Sequence, residues 1–210
     1  MNALLKQSLA GLRILLVLTV LTGVLYPLGV WAVSRLPGLQ ANAEGSVVEV
    51  DGRAVGSDLI GIDPVAEDPA RDPWFHTRPS AVALDLDGDG SADNLGPADG
   101  SISMGSNKGA FDEDLVAAVE DRRATIADRE DVEPSQVPPD AVTASASGLD
   151  PHISPAYAEL QVPRVARVTG LSEDRVRALV EENTDGRGLG VLGEPGVNVL
   201  KLNLAVTAAG

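Results

Sequence analysis

The chain has 210 residues, a net charge of −15, no cysteine, and two each of Trp, Tyr and Phe. Without cysteine there are no disulfides, no thiol catalysis, no thiol-linked lipid and no Cys-ligated metal. All 31 acidic residues lie after position 43, together with 13 of the 16 basic ones, so that region carries −18 and repels nucleic acid and anionic lipid at long range.

The first element is Ile14 to Val33, twenty residues without a charge, twelve of them Leu, Ile or Val. A helix of that length spans about 30 Å, the thickness of a bilayer's hydrocarbon core. At roughly −0.3 to −0.6 kcal/mol per aliphatic side chain, the twelve contribute about −4 to −7 kcal/mol to insertion. The pattern predicts a transmembrane helix over 14–35, a short cytoplasmic N-terminus at 1–13 and a linker at 36–45. Tyr26 and Trp31 fall where aromatic rings favour the headgroup layer, and Pro27 predicts a bend. Lys6 and Arg13 precede the span, Arg35 follows it, and the long acidic region comes after. That order places the N-terminus inside and the bulk of the chain outside. A cleaved secretory signal competes, since Ala41-Asn42-Ala43 offers an A-x-A site. The apolar run exceeds the roughly 7–15 residues of a signal core, however, and the A-x-A lies well beyond its end.

Residues 46–210 are long enough for one domain with a proper core. With only Trp74, Phe75, Phe111 and Tyr157 for aromatics, that core is expected to be mostly Val, Leu, Ile and Ala. Ser46–Val50 and Arg53–Gly56 alternate around Asp51-Gly52, a β-hairpin signal. Residues 63–73 hold three prolines and four acids and read as irregular. Trp74-Phe75 predicts a loop pinned to the core by its rings. Phe111 to about Arg129 has helical period, with Asp112 as cap and Leu115, Val119 and Ile126 on one face. Three prolines between Glu133 and Pro139 end it. Ser154 and Pro155 start a helix running to about Thr169, in which Pro163 predicts a kink or a delayed start. Gly170 closes it, Ser172 caps the next, and Val176, Leu179 and Val180 face inward. Gly193 to Val206 reads as a turn followed by a strand. The fold class is therefore α+β: one N-terminal transmembrane helix, then a single mixed domain.

Three stretches carry possible chemistry. Asp85, Asp87, Asp89 and Asp93, with Ser91 between, place oxygens at every second residue around Gly90, as a Ca²⁺ loop does. Gly96 stands where such a loop needs Glu, and no helical patterns flank it, so a solvated acidic loop is the plainer reading. A divalent-cation binding module is the alternative function. Ser147 lacks the first glycine of a G-x-S-x-G elbow, although His76 and His152 leave a membrane-tethered hydrolase open. Val165 to Val180 is similar to a helix-turn-helix, yet Glu173, Asp174, Glu181 and Glu182 surround Arg175 and Arg177, which speaks against DNA. There is no HExxH, no G-x-x-x-x-G-K-[ST] and no Asp-Lys-Thr-Gly-Thr phosphorylation loop, so no route to ATP hydrolysis is expected.

The run Thr143-Ala-Ser-Ala-Ser-Gly-Leu-Asp-Pro-His-Ile-Ser-Pro155 closely resembles the C subunits of the Kdp potassium-transporting ATPases. Gln161-Val-Pro-Arg-Val-Ala and the closing Gly-Glu-Pro-Gly-Val-Asn-Val-Leu-Lys-Leu-Asn-Leu extend the resemblance. Upstream, Tyr26-Pro-Leu, Gly56-Ser-Asp-Leu-Ile-Gly, Arg78-Pro-Ser-Ala and Gly105-Ser-Asn follow in the same order. Two departures stand out: Lys108-Gly-Ala-Phe replaces the family's Leu-Gly-Pro, and about 85–100 reads as an acidic insertion.

The resemblance implies a non-catalytic accessory subunit of an ATP-driven, high-affinity potassium uptake complex in the plasma (inner) membrane. Its partners would be a K⁺-channel-like subunit, a P-type ATPase subunit and membrane lipid, with no nucleic acid. The family is described as a catalytic chaperone that raises the ATP affinity of the ATPase subunit. That implies no cofactor of its own, with ATP bound only alongside the ATPase subunit. Thr143, Ser145, Ser147, Gly148 and Gln161 are the implied nucleotide contacts. An extracytoplasmic domain would not meet cytoplasmic ATP, which favours assembly over direct binding.

Overall fold

The computed structural model describes residues 2–86, 88 and 93–210. The chain forms two compact units, one ending at Val47 and the other spanning Val48–Gly210.

The first unit is a long helix. α1 (Asn2–Val20) passes through a π-turn (Leu21–Leu25) into α2 (Tyr26–Ser34), and Ala3–Ser34 is long and apolar enough to cross a membrane. The helix starts well before Ile14, and at about 1.5 Å per residue it outruns a 30 Å hydrocarbon layer. Pro27 explains the π-turn: its ring cannot donate to the Gly23 carbonyl and would clash with it, so the preceding turn widens. The Tyr26 N–H accordingly reaches back to the Leu21 carbonyl. The Thr22 hydroxyl donates to the Leu18 carbonyl at 2.7 Å, so it presents no unsatisfied donor to lipid. Beyond the span, Arg35 lies 5.6 Å from the Trp31 ring and pairs with Glu44 just after a short α3 (Gln40–Ala43).

The second unit opens with the expected hairpin, β1 (Val47–Val50) and β2 (Arg53–Ser57). Asp51 and Gly52 both take positive φ, as a tight hairpin turn requires. An irregular stretch follows, then α4 (Glu113–Glu130), whose Asp112 cap accepts the N–H groups of Asp114 and Leu115. Two short turns lead through α5 (Pro139–Val142) to β3 (His152–Ile153). α6 (Pro155–Thr169) is capped by Ser154, which Asp140 holds in place at 2.8 Å. α6 runs unbroken past Pro163, without a delayed start. The carbonyl that Pro163 frees belongs to Glu159, an exposed residue, so it is not buried unmet. Ser172 caps α7 (Glu173–Glu182), which buries Val176, Leu179 and Val180.

The C-terminus corrects the sequence reading. After β4 (Thr184–Asp185), β5 is confined to Gly196–Asn198, and Val199–Ala209 is a helix, α8. Asn198 caps it by accepting the Lys201 N–H at 3.1 Å. The alternation Val197-Asn-Val199 mimics a strand, but Val199, Leu202, Asn203 and Val206 are buried at helical spacing. β5 is central in an antiparallel sheet β3-β5-β4, with Ile153 and Thr184 both opposite Val197.

Helices α4, α6, α7 and α8 pack with that sheet around Ile126, Tyr157, Val162, Val165, Val176, Val197, Val199 and Leu202. The core is aliphatic around two aromatics, Phe75 and Tyr157, both fully enclosed. Trp74 is half-buried and Phe111 exposed.

Asn198 also donates to the Asp58 carbonyl at 3.1 Å, so it fastens both the helix start and the segment after β2. Replacing it with Ala should destabilise the domain by about 1–2 kcal/mol, the value of a lost cap. Thermal unfolding of the detergent-solubilised chain by circular dichroism measures this.

Candidate functional site

The serine-rich stretch Thr143–Asp150 is a junction of three other chain segments. The Gly61 N–H donates to the Leu149 carbonyl at 2.8 Å, the Met104 N–H to the Ser147 carbonyl at 2.9 Å, and the Ser145 N–H to the Pro79 carbonyl at 2.9 Å. Ser80 Oγ donates to the Gly148 carbonyl at 2.8 Å, and Ser103 Oγ to the Ser147 carbonyl at 3.0 Å. Arg78 braces the two ends of the loop, Asp150 at 3.0 Å and the Thr143 carbonyl at 3.3 Å. Thus Gly56-Ser-Asp-Leu-Ile-Gly61, Arg78-Pro-Ser80 and Gly105-Ser-Asn107, scattered in sequence, supply or flank the contacts that meet the loop.

Glycine is required at these crossings for space. A Cβ on Gly61 would stand 2.5 Å from the Asp150 carbonyl oxygen, and one on Gly105 2.7 Å from that of Ala146. The close approach that the small residues invite is therefore made within the chain.

Ser145 is buried, Gly148 adopts a φ of +73°, and Thr143 and Ser147 are exposed. Ser147 Oγ lies 3.1 Å from Ser145 Oγ and accepts the Leu149 N–H at the same distance. Neither histidine is placed to activate it: His76 sits between Asp63 and Asp72, and His152 Nε2 faces Asp185 at 3.3 Å.

Gln161 is not brought to this loop. It is wholly buried in α6, where Oε1 accepts the His76 N–H at 2.8 Å and an Arg164 N–H at 3.2 Å. Its amide donates to the carbonyls of Tyr157 and His76 at 3.3 and 3.4 Å. It therefore has no surface to offer a ligand in this structure.

Gln161 belongs to a buried polar network that the sequence did not reveal. The strap Asp72–His76 lies outside any strand, and side chains satisfy its backbone instead. Asn203 of α8 accepts the Phe75 N–H at 2.8 Å and donates to its carbonyl at 2.9 Å. Arg164 donates to the carbonyls of Asp72 and Trp74 at 2.8 and 2.9 Å, and to the Glu130 carboxylate at 3.0 Å. Arg129 pairs with the same carboxylate at 2.7 Å and donates to the Tyr157 hydroxyl. The detectable signal was Gln161, Arg164 and Asn203 standing at core positions of otherwise apolar helices.

His76 Nδ1 lies 2.9 Å from Asp63 and Nε2 2.6 Å from Asp72. Burial and the nearby Arg129 cation oppose its protonation, but the two carboxylates outweigh them and its pKa lies above the usual value. Burial likewise opposes the charge on Asp72, but His76, the Trp74 N–H and Arg164 together outweigh it and lower that pKa.

Of the acidic loop, Asp87 and Asp89 lie outside the described residues. Asp85 accepts the Gly88 N–H at 2.7 Å and Asp93 the Leu86 N–H at 3.2 Å. The excursion leaves and returns at an antiparallel bridge between Ala83 and Ala98. In the helix pair α6–α7, Arg177 is tied to Glu159, Glu173 and Asp174 and Arg175 to Glu182, so the guanidinium groups of α7 are committed to acids of the same chain.

Fold and site together define a class: a single apolar span bearing an acidic α+β domain whose serine loop and buried charges hold its own segments together. The family described as "K+-transporting ATPase, c chain" matches residues 8–208. Similar proteins include the potassium-transporting ATPase KdpC subunits of Kineococcus radiotolerans, 52% identical over 98% of this chain and 95% of the relative, and of Streptomyces avermitilis, 46% identical over 94% and 91%. That of Rhodopseudomonas palustris is 44% identical over 98% of this chain and its own full length. The chain belongs to the KdpC family.

Two outcomes are expected of this geometry. Gly105→Val should destabilise the domain by about 1–3 kcal/mol, because the added branch meets backbone that cannot yield. Because the folded-state pKa of His76 is raised, its contribution is complete below about pH 6.5 and declines as pH rises through the higher folded value. Melting temperature should therefore fall as pH rises above about 6.5, and His76→Asn should flatten that decline. Melts of both chains across the range check it.

Proposed function

We propose that the chain is the accessory subunit of an ATP-driven potassium uptake complex, holding the channel-like and ATP-hydrolysing subunits together. Family membership over nearly the whole chain carries the reading, and the geometry supports it. The serine loop is used for internal closure, Gln161 is enclosed, and Ser147 has no base beside it. Assembly needs only surfaces and an anchor, and this chain has both.

The helix supplies one contact. Gly23 and Gly29 have open space around them, where a neighbouring helix can come close. Lys6 and Arg13 keep the N-terminus in the cytoplasm, and the domain of net charge −17 lies outside. A domain so placed acts on the complex from its outer face. The raised ATP affinity described for the family then acts indirectly, through the assembled ATPase subunit, and not through nucleotide on the serine loop.

Copurification in mild detergent with the neighbouring pump subunits tests this. The wild-type chain should stay with them, and Gly23→Ile with Gly29→Ile should lower its yield severalfold while the domain still folds. Pump subunits that assemble and transport K⁺ without this chain overturn the reading. In intact spheroplasts, added protease should remove the domain; protection until lysis would place it inside.

A further inference from the structure

One large cavity of the domain borders the serine loop, which contributes Ala144 to its wall. It lies between α4 and the turn Gly105–Lys108, has a volume of about 730 Å³, and is lined by Asn94, Ser106, Asn107, Lys108, Ala118 and Arg122, among others. That size falls in the range of ligand and side-chain receptor sites, about 300–1,000 Å³.

Arg122 gives the cavity its character. It is only 7% exposed, yet its hydrogen bonds go to two neutral carbonyls, Asn94 at 3.0 Å and Val142 at 3.2 Å. Among the described residues no carboxylate lies within ion-pair distance, and Nη2 makes no hydrogen bond. The other buried arginines are treated differently, since Arg129 and Arg164 share Glu130. Asp121 offsets part of the burial cost of this guanidinium through space, but no carboxylate closes on it, and the side chain borders the cavity. The remaining charges there are locally committed. Lys108 bonds Asp112 and Asp114 at 3.2 and 2.7 Å, the Asn94 amide bonds Asp121 at 2.7 Å, and Asp93 accepts the Leu86 N–H. Ser106 and Asn107 make no side-chain hydrogen bond among the described residues.

We propose that this cleft receives an acidic segment of a partner subunit, with a partner carboxylate completing the ion pair that Arg122 lacks. The proposal rests on the accessory-subunit reading and names where the domain docks. A guanidinium edge matches a carboxylate in two parallel hydrogen bonds, and Ser106 and Asn107 supply donors at the rim. A free anion is a poorer occupant, because a domain of net charge −17 repels it from a distance. A partner held in the same complex presents its carboxylate at high effective concentration, so long-range repulsion matters little.

The chain has no native cysteine, so Ala118→Cys places a single thiol on the cavity wall. Maleimide labelling of this full-length variant should be at least tenfold slower in the assembled complex than in detergent alone. Adding Arg122→Gln should restore fast labelling in the complex, and Arg122→Lys should give an intermediate rate. If Arg122→Gln does not fold, Ala118→Trp fills the cleft while keeping Arg122 in the chain, and should cut copurification at least tenfold. Equal labelling in complex and isolated chain, protection that survives Arg122→Gln, or full copurification of Ala118→Trp overturns the proposal. So does slowing of the isolated chain's labelling by ATP, which would make a free phosphate the occupant. A wild-type chain that never copurifies sinks the accessory reading as well, whereas copurification with unchanged labelling sinks this proposal alone.

Discussion

The domain depends on one buried charge, that of Arg164. Its guanidinium reaches Glu130 at the end of α4, Gln161 on its own helix, and the carbonyls of Asp72 and Trp74 on the strap. Three chain segments far apart in sequence are thereby fixed to one point. Enclosing such a group is tolerable only when its donors are met, and removing one partner of a buried pair typically costs about 3–5 kcal/mol. The exposed pairs of Arg177 follow different arithmetic, at about 0–1 kcal/mol each. Stability is therefore concentrated at Arg164, and the many surface ion pairs contribute little.

The strap explains why polar side chains are admitted to the core at all. Residues 72–76 run extended without a strand beside them, so their peptide groups would otherwise be buried unmet. Asn203 meets both groups of Phe75, and Gln161 meets both of His76. Two side-chain amides thus do what a neighbouring β-strand does elsewhere. The serine loop solves the same problem in reverse: there backbone meets backbone directly, and glycines make room.

How much of this the sequence shows follows from the range of each interaction. The membrane span, the hairpin at Asp51-Gly52, and the caps Asp112, Ser154 and Ser172 are local patterns and were legible. The strand expected after Val197 failed because Val197-Asn-Val199 alternates for three residues before helical burial takes over, and because Asn198 was not read as a cap. The clamp was invisible for another reason: Gln161 and His76 are 85 residues apart, and Asn203 and Phe75 128. No local period records such a pairing. Gln161 was singled out by resemblance as a ligand contact, whereas its geometry is that of a beam. The cleft beside Arg122 was missed because an arginine on a helix with polar faces looks like surface until its burial is known.

The acidity of the domain bears on how it recognises anything. A net charge of −17 suggests a long reach, but at about 0.15 M salt the field of surface carboxylates fades within roughly 8 Å. What distinguishes one neighbour from another must therefore be contact chemistry. Among the domain's arginines Arg122 differs in being buried while lacking an ion pair among the described residues, whereas the buried Arg129 and Arg164 share Glu130. The anchor then sets the distance over which such a contact need act, since a protein held in the same membrane plane searches two dimensions and a short height above them.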